Sequence, residues 1–414
     1  MNTNQPGQFQ STSPRKNVIS LVFLTLLNDR LARSFVIPIL PYIVARYNVS
    51  GFTIGLLISS YTITSILAGP ISGHLSDRIG RRPVLVSSLG LGAIGMTTFG
   101  LASNVTTLFC GRLIDGTGGG GAATAAAVIA DVTPPKDQTK AFGLIALASA
   151  FSIIIGPGLG GVLAGVSPQL PILFASVLLI GNFGLALLFF KETHPHFNSQ
   201  GLTKKSLDIK GFVQSFIAGF KPLSKRKIGF NSLSYCLLNL GCFGGLSIGS
   251  LYLARVLKFD AHMTGLAFTL AGVMTVSQQI FLIPRLTQRL STLQILMLGN
   301  LLGVIGAALM IVPTNSQPFI TTTLGLSLFS MSLGLAAPSI RAIFNTDIDP
   351  SSSGNSMGIV GSLQNIGSAI GPPLLGYLFD AVNPETAFTC VFTVIIICMG
   401  CTGYTMRLKT VELY

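Results

Sequence analysis

Along the 414-residue chain, apolar runs alternate with short polar segments, and each run is close to the roughly 20 residues that a helix needs to cross a bilayer. The runs fall near 18–44, 53–74, 83–103, 105–130, 139–164 and 169–190, then 228–254, 262–284, 291–313, 317–344, 355–379 and 385–407. Lys191–Lys227, the longest polar interruption, carries eight Lys/Arg and separates six runs from six. The pattern predicts an all-α integral membrane protein of about twelve transmembrane helices in two six-helix halves. Its parts are a polar leader at 1–17, a bundle at 18–190, a basic linker at 191–227, a second bundle at 228–407 and a tail at 408–414. Because the leader is polar and rich in Ser and Gln, the first span is expected to be retained.

Composition supports this layout. Hydrophobic residues make up 49% of the chain and charged residues only 9%, against about 25% charged in a soluble domain. So few charges cannot cover a water-facing surface, and lipid must be the solvent for much of the chain. The net charge of +13 would suggest a nucleic-acid ligand if it formed a patch, but the basic residues sit between the apolar runs, where they report topology. With the N-terminus inside, twenty of the twenty-six Lys/Arg are cytoplasmic, three (Arg46, Arg255, Lys258) are outside, and three (Arg30, Arg33, Arg112) lie within spans. Both termini are therefore expected in the cytoplasm. The six cysteines lie inside apolar runs without metal-ligand spacing and read as small buried hydrophobes. No metal site is expected.

A repeat relates the halves. Phe142–Leu163 contains FG followed by IGPGLGGVL, and Met357–Leu378 contains MG followed by IGPPLLGYL. One offset aligns Gly143 with Gly358, Gly156 with Gly371, Pro157 with Pro372 and Gly161 with Gly376. Parallel six-helix repeats about an axis along the membrane normal place a substrate between the halves at mid-depth.

Four local patterns carry chemistry. The loop after the second run reads Gly73-His-Leu-Ser-Asp77-Arg78-Ile-Gly80-Arg81-Arg82. Its glycines allow a tight turn, and its acid can pair with its arginines at a helix end. A gating latch and a stop-transfer basic cluster both fit it, although Asp77 adds nothing to the second. The fourth run reads Arg112-Leu-Ile-Asp115-Gly116-Thr-Gly118. The glycines at 118–121 lack a following GK[ST] and suit close helix packing rather than a phosphate cradle. In the fifth run, Gly156-Pro157-Gly158-Leu159-Gly160-Gly161 predicts a bend and a close seam. In the first, Asp29 precedes Pro38-Ile-Leu-Pro41 by nine residues.

On these residues the chain resembles the major facilitator superfamily over nearly its whole length. Within it, the likeness is to the twelve-span drug:proton antiporters such as the bacterial tetracycline and quinolone exporters. That resemblance implies a monomeric multi-pass protein of the bacterial inner membrane, driven by the proton gradient without a cofactor and exporting a small molecule. It also implies that spans 1 and 4 line a central cavity, where Arg112 balances the charge of Asp29.

Charges at mid-membrane are costly and point to function. Asp29 lies roughly 16 Å into its span, at 1.5 Å per residue. Arg33 shares its face at i+4, Arg30 points about 100° away, and Arg112 and Asp115 meet at i,i+3. Asp29 is the better proton-exchanging carboxylate, because Asp115 has a fixed cation on its own helix. Static neutralisation of buried charges is the alternative. The cluster Asp29, Arg30, Arg33, Arg112 and Asp115 sums to +1, which suits an anionic cargo better than a cationic drug. Arg341 reads as an interfacial residue. Tyr235, Asn239, Gln278 and Gln364 of the second half, with Arg30 and Arg33, form a candidate amphipathic substrate wall. Three readings compete with export of an amphipathic drug: export of an anionic metabolite, siderophore or lipid-like solute; a transporter-like sensor without turnover; and a membrane enzyme, for which no nucleophile–base or metal cluster is present.

Overall fold

The computed structural model describes residues 12–134, 137–193, 226–312, 317–347 and 353–411; the leader up to residue 11 and most of the linker, 194–225, lie outside the described residues. Among the described residues there are fifteen α-helices and no strands. These are α1 (Thr12–Ser34), α2 (Val36–Val44), α3 (Gly51–Ile79), α4 (Arg81–Gly100), α5 (Val105–Gly118), α6 (Gly121–Val132), α7 (Gln138–Val166), α8 (Leu170–Phe189), α9 (Arg226–Arg255), α10 (Ala261–Ser277), α11 (Ile283–Arg289), α12 (Thr292–Ile311), α13 (Pro318–Asp347), α14 (Ser353–Ala381) and α15 (Pro384–Val411). They form twelve rods, because three rods are interrupted. Span 1 is α1 and α2, broken at Phe35. Span 4 is α5 and α6, parted at Gly119–Gly120. Span 8 is α10 and α11, joined by a π-helical turn over Gln278–Leu282. The others follow in order, giving the twelve predicted spans in two halves.

Among the described residues, nine helices are long and apolar enough to cross a membrane by length and composition. The rods outside that set are informative. Span 1 carries Asp29, Arg30 and Arg33, span 4 is split into pieces too short to qualify and carries Arg112 and Asp115, and span 11 (α14) holds Gln364, Asn365 and a Pro-Pro pair. Polarity and bends are thus concentrated where a cavity would be lined.

The halves are joined by spans 2 and 11, by spans 5 and 8, and by the second part of span 1 against spans 7 and 8. The glycine repeat makes these seams. A Cβ on Gly161 would stand 2.7 Å from the Ala261 carbonyl oxygen and 3.1 Å from Gly265, so spans 5 and 8 meet backbone to backbone. Its counterpart Gly376 meets the Gly51 carbonyl in the same way, joining spans 11 and 2. Gly156 and Gly371 face inward within their own halves, against Ser34 of span 1 and Leu240 of span 7. The repeat in sequence is therefore a repeat in contact.

All these seams lie toward the end bearing the loops 45–50, 256–260 and 382–383. There Tyr42 donates to the Phe259 carbonyl at 2.7 Å and lies 2.5 Å from Thr264 Oγ1. Arg255 donates to the Val49 carbonyl at 2.5 Å and pairs with Asp380 at 3.2 Å, while the Asp380 carboxylate accepts the Gly51 N–H at the start of span 2. Span 2 is mostly buried from Gly51 to Ser60 and mostly half-buried from Tyr61 onward. Among the described residues the molecule is closed at one end and parted at the other.

Candidate functional site

Four residues from two spans form one buried chain of charge. Asp29 Oδ1 lies 2.8 Å from Arg33, Arg33 lies 3.3 Å from Asp115, and Arg112 lies 3.2 Å from the other oxygen of Asp115. The i,i+4 and i,i+3 spacings supply the first and last links; the middle link ties span 1 to span 4. Glycines make it possible. Gly92 and Gly95 of span 3 present no side chain to the site, and a Cβ on Gly92 would stand 3.0 Å from the Arg33 guanidinium. Gly95 lets span 3 lie directly on the Asp115 backbone.

Tyr61 of span 2 binds both arginines. Its hydroxyl accepts from Arg33 at 2.7 Å, and its ring centroid lies 5.3 Å from the Arg33 guanidinium carbon and 4.7 Å from that of Arg112. Arg112 also faces the Phe99 ring at 5.7 Å and donates to the Leu57 carbonyl at 3.3 Å. A buried arginine is tolerable only with such company.

The two helix-spaced pairs are formed as predicted, whereas Arg112 does not contact Asp29 as the resemblance implied. Arg33 stands beside Asp29, and Arg112 serves Asp115. Exposure separates the two acids: the Asp29 side chain is 15% exposed and that of Asp115 only 1%. Arg30 leaves the cluster and is exposed. Tyr61 was not singled out from sequence, since its distance from both arginines along the chain leaves no periodic signal.

The Gly73–Arg82 loop is built at the parted end. Gly80 has φ 101°, a backbone conformation that glycine adopts without strain, and it turns span 2 into span 3. Arg81 is buried; it pairs with Asp77, bonds Asp131 Oδ2 of span 4 at 2.8 Å and donates to Ser76 at 2.7 Å. Glu192, after span 6, accepts the Arg81 and Arg82 N–H groups at 2.9 and 3.0 Å, so a carboxylate caps the start of span 3. Arg82 donates to the Leu187 carbonyl at 2.9 Å. Arg78 is half-buried, and nothing stands where a Gly73 Cβ would be. These contacts tie spans 2, 3, 4 and 6 together within the first half.

In the second half Tyr235 is buried and its hydroxyl donates to Gln364 Oε1 at 3.1 Å. Asn239 is buried and donates to the Tyr235 carbonyl at 2.8 Å. Gln278 is buried apart from them, in the π-helical turn, with Gly334 of span 10 alongside and no hydrogen-bond partner for either side-chain polar atom. Pro157 lies inside the continuous helix of span 5, and its carbonyl lies against Gly265; Gly160 receives Ile39 and Phe35 of span 1.

Two parallel-repeat bundles with charged groups buried at the centre, sealed by glycine seams at one end, define a membrane transporter of small molecules. The profile of the Major Facilitator Superfamily matches residues 22–372 and 233–409, and the chain belongs to that family. Among its relatives are the class H tetracycline resistance protein of Pasteurella multocida, 26% identical over 88% of this chain and 89% of that protein, and multidrug resistance protein 2 of Bacillus subtilis, 24% identical over 95% and 96%. The fold is shared with the nucleoside transporter NupG (TM-score 0.78, 12% identity, covering 94% of this chain and 99% of that one). It is shared also with the human organic anion transporter MFSD10 (TM-score 0.66, 21% identity, covering 94% and 99%). The chain is a transporter, not an enzyme.

Proposed function

We propose that the protein is a proton-coupled antiporter of the bacterial inner membrane, which exports an amphipathic organic solute by alternating access. Relatives named for tetracycline and multidrug resistance support the export reading. Both termini and the parted end face the cytoplasm, so the described state is open inward. The chain functions as a monomer and needs no cofactor beyond the proton gradient.

The observation that carries proton coupling is a charge chain whose two acids are unequally placed. Asp115 is enclosed by two arginines as their shared counter-ion. Asp29 holds one partner and retains an exposed edge, through which a proton can arrive. When Asp29 is protonated its link to Arg33 is lost, and Arg33 keeps Asp115. Occupancy of Asp29 can thus bias the packing of span 1 against spans 2 to 4 without stranding a cation.

The test is substrate-induced proton release from detergent-solubilised protein. Asp29→Asn should abolish release and proton-driven transport while substrate still binds, now without pH dependence. Proton release that persists in Asp29→Asn and disappears in Asp115→Asn would reverse the two roles.

A further inference from the structure

Span 1 has neighbours on three sides. Through Gly156 and Gly160, span 5 lies against Leu31, Ser34, Phe35 and Ile39. From span 6, Asn182 donates to the Thr25 carbonyl at 2.9 Å and Phe174 packs on Phe35. Asp29 and Arg33 run toward span 4. Arg30, one residue and about 100° round from Asp29, leaves by the fourth side. It is exposed, and among the described residues it has no ion-pair or hydrogen-bond partner. The second part of this span lies against spans 7 and 8, so the fourth side is the one that faces the other half.

The second half answers with donors. Because the Tyr235 hydroxyl is given to Gln364 Oε1, the amide NH2 is what Gln364 has left to offer. Arg341 of span 10 is exposed, and span 10 packs against span 7, which carries Tyr235. Arg341 too has no ion-pair partner among the described residues. Among the described residues, Asp29 and Asp115 are engaged by Arg33 and Arg112, Asp131 by Arg81, and Asp380 by Arg255.

We infer that the cargo is an amphipathic organic anion, a carboxylate or sulfonate on an aromatic or aliphatic body, whose acidic group is taken by Arg30 and Arg341 with the Gln364 amide between the halves. An unneutralised guanidinium between low-dielectric walls raises the local anion concentration and is itself stabilised by the arriving charge. A cation of the same shape would meet two like charges and no acceptor with a free charge. This rests on the transporter reading but not on proton coupling, because it is a statement about equilibrium binding.

Two dyes on the same xanthene skeleton test it: fluorescein, an anion, and tetramethylrhodamine ethyl ester, a cation. Binding to the purified full-length protein is followed by fluorescence anisotropy at one neutral pH, without a gradient. Fluorescein should bind more tightly than the rhodamine by about tenfold or more, as charge-assisted contacts imply. Arg30→Gln and Arg341→Gln should each weaken fluorescein by a similar factor and leave the rhodamine as tight or tighter, while Arg30→Lys and Arg341→Lys should keep most of the affinity. Monodispersity and thermal unfolding of each variant separate lost binding from lost fold. Preference for the rhodamine, no detectable fluorescein binding by the wild type, or fluorescein affinity unchanged by both glutamine variants overturns the anion assignment. If the dyes behave as expected and Asp29→Asn still releases protons, the coupling scheme fails while the cargo class stands.

Discussion

At the residue scale, the charge chain makes unequal demands on its two acids. Asp115→Asn strands Arg112 in a buried site with only a tyrosine ring, a phenylalanine ring and one carbonyl for company. Breaking a buried pair from one side typically costs about 3–5 kcal/mol. Asp29→Asn leaves Arg33 in contact with Asp115 and Tyr61, so its cost should be much smaller. Thermal unfolding of the two variants in the same detergent checks this; equal losses would mean that Arg33 does not fall back on Asp115 when Asp29 is neutralised. Glu192 makes a second residue-scale demand. Its carboxylate accepts two N–H groups at the start of span 3, so Glu192→Ala should destabilise by about 1 kcal/mol, the upper range of exposed helix-end effects. Glu192→Gln should recover part of the loss.

The same residues show what was legible beforehand. Asp29 with Arg33 and Arg112 with Asp115 are neighbours because of helix spacing, and spacing is visible in a sequence. The link from Arg33 to Asp115, the Tyr61 bridge and the Asp131 and Glu192 partners of the Gly73–Arg82 loop join residues dozens of positions apart. No periodicity marks such pairs. They depend on which helices become neighbours, a property of packing.

At the scale of elements, glycines decide which rods touch. Gly161 and Gly165 lie on the same helix, yet a Cβ on Gly161 would strike span 8, whereas nothing stands within 4 Å of one on Gly165. Gly161→Leu should therefore hold the halves apart at the closed end and abolish transport, while Gly165→Leu should leave transport near normal. Uptake into energised inverted vesicles, at matched protein amount, distinguishes them. The twelve runs and their division into six and six were readable from hydrophobicity. The interruptions at Phe35, at Gly119–Gly120 and over Gln278–Leu282 were not, because a run of apolar residues looks alike whether its backbone continues straight or turns.

At the scale of the whole molecule, the closed end is locked by a few polar contacts laid over the glycine seams. Asp380 is the hub, since its carboxylate meets both Arg255 and the start of span 2 in the other half. Asp380→Asn keeps the shape and loses the charge, so it should shift the population toward a state open at that end. A cysteine at Ser59, buried beneath this lock and bonded to the Ala369 carbonyl at 2.5 Å, reports on it. Impermeant thiol reagents added outside should label Ser59→Cys slowly, and faster when Asp380→Asn is also present; an unchanged rate would remove Asp380 from the gate. Orientation is checked in the same cells, where Gln317→Cys should label from outside and Gln288→Cys only from inside.

The glycine seams also bear on speed. Interlocked side chains must dilate before one helix can move past another, and that demand appears as a large activation enthalpy. At Gly51 against Gly376, and at Gly161 against Gly265, bare backbones meet with no side-chain teeth to disengage. Such surfaces roll with little friction and bury little apolar area to be wetted when they part. The opening step should then depend weakly on temperature, leaving cargo release or proton movement to limit turnover in the cold.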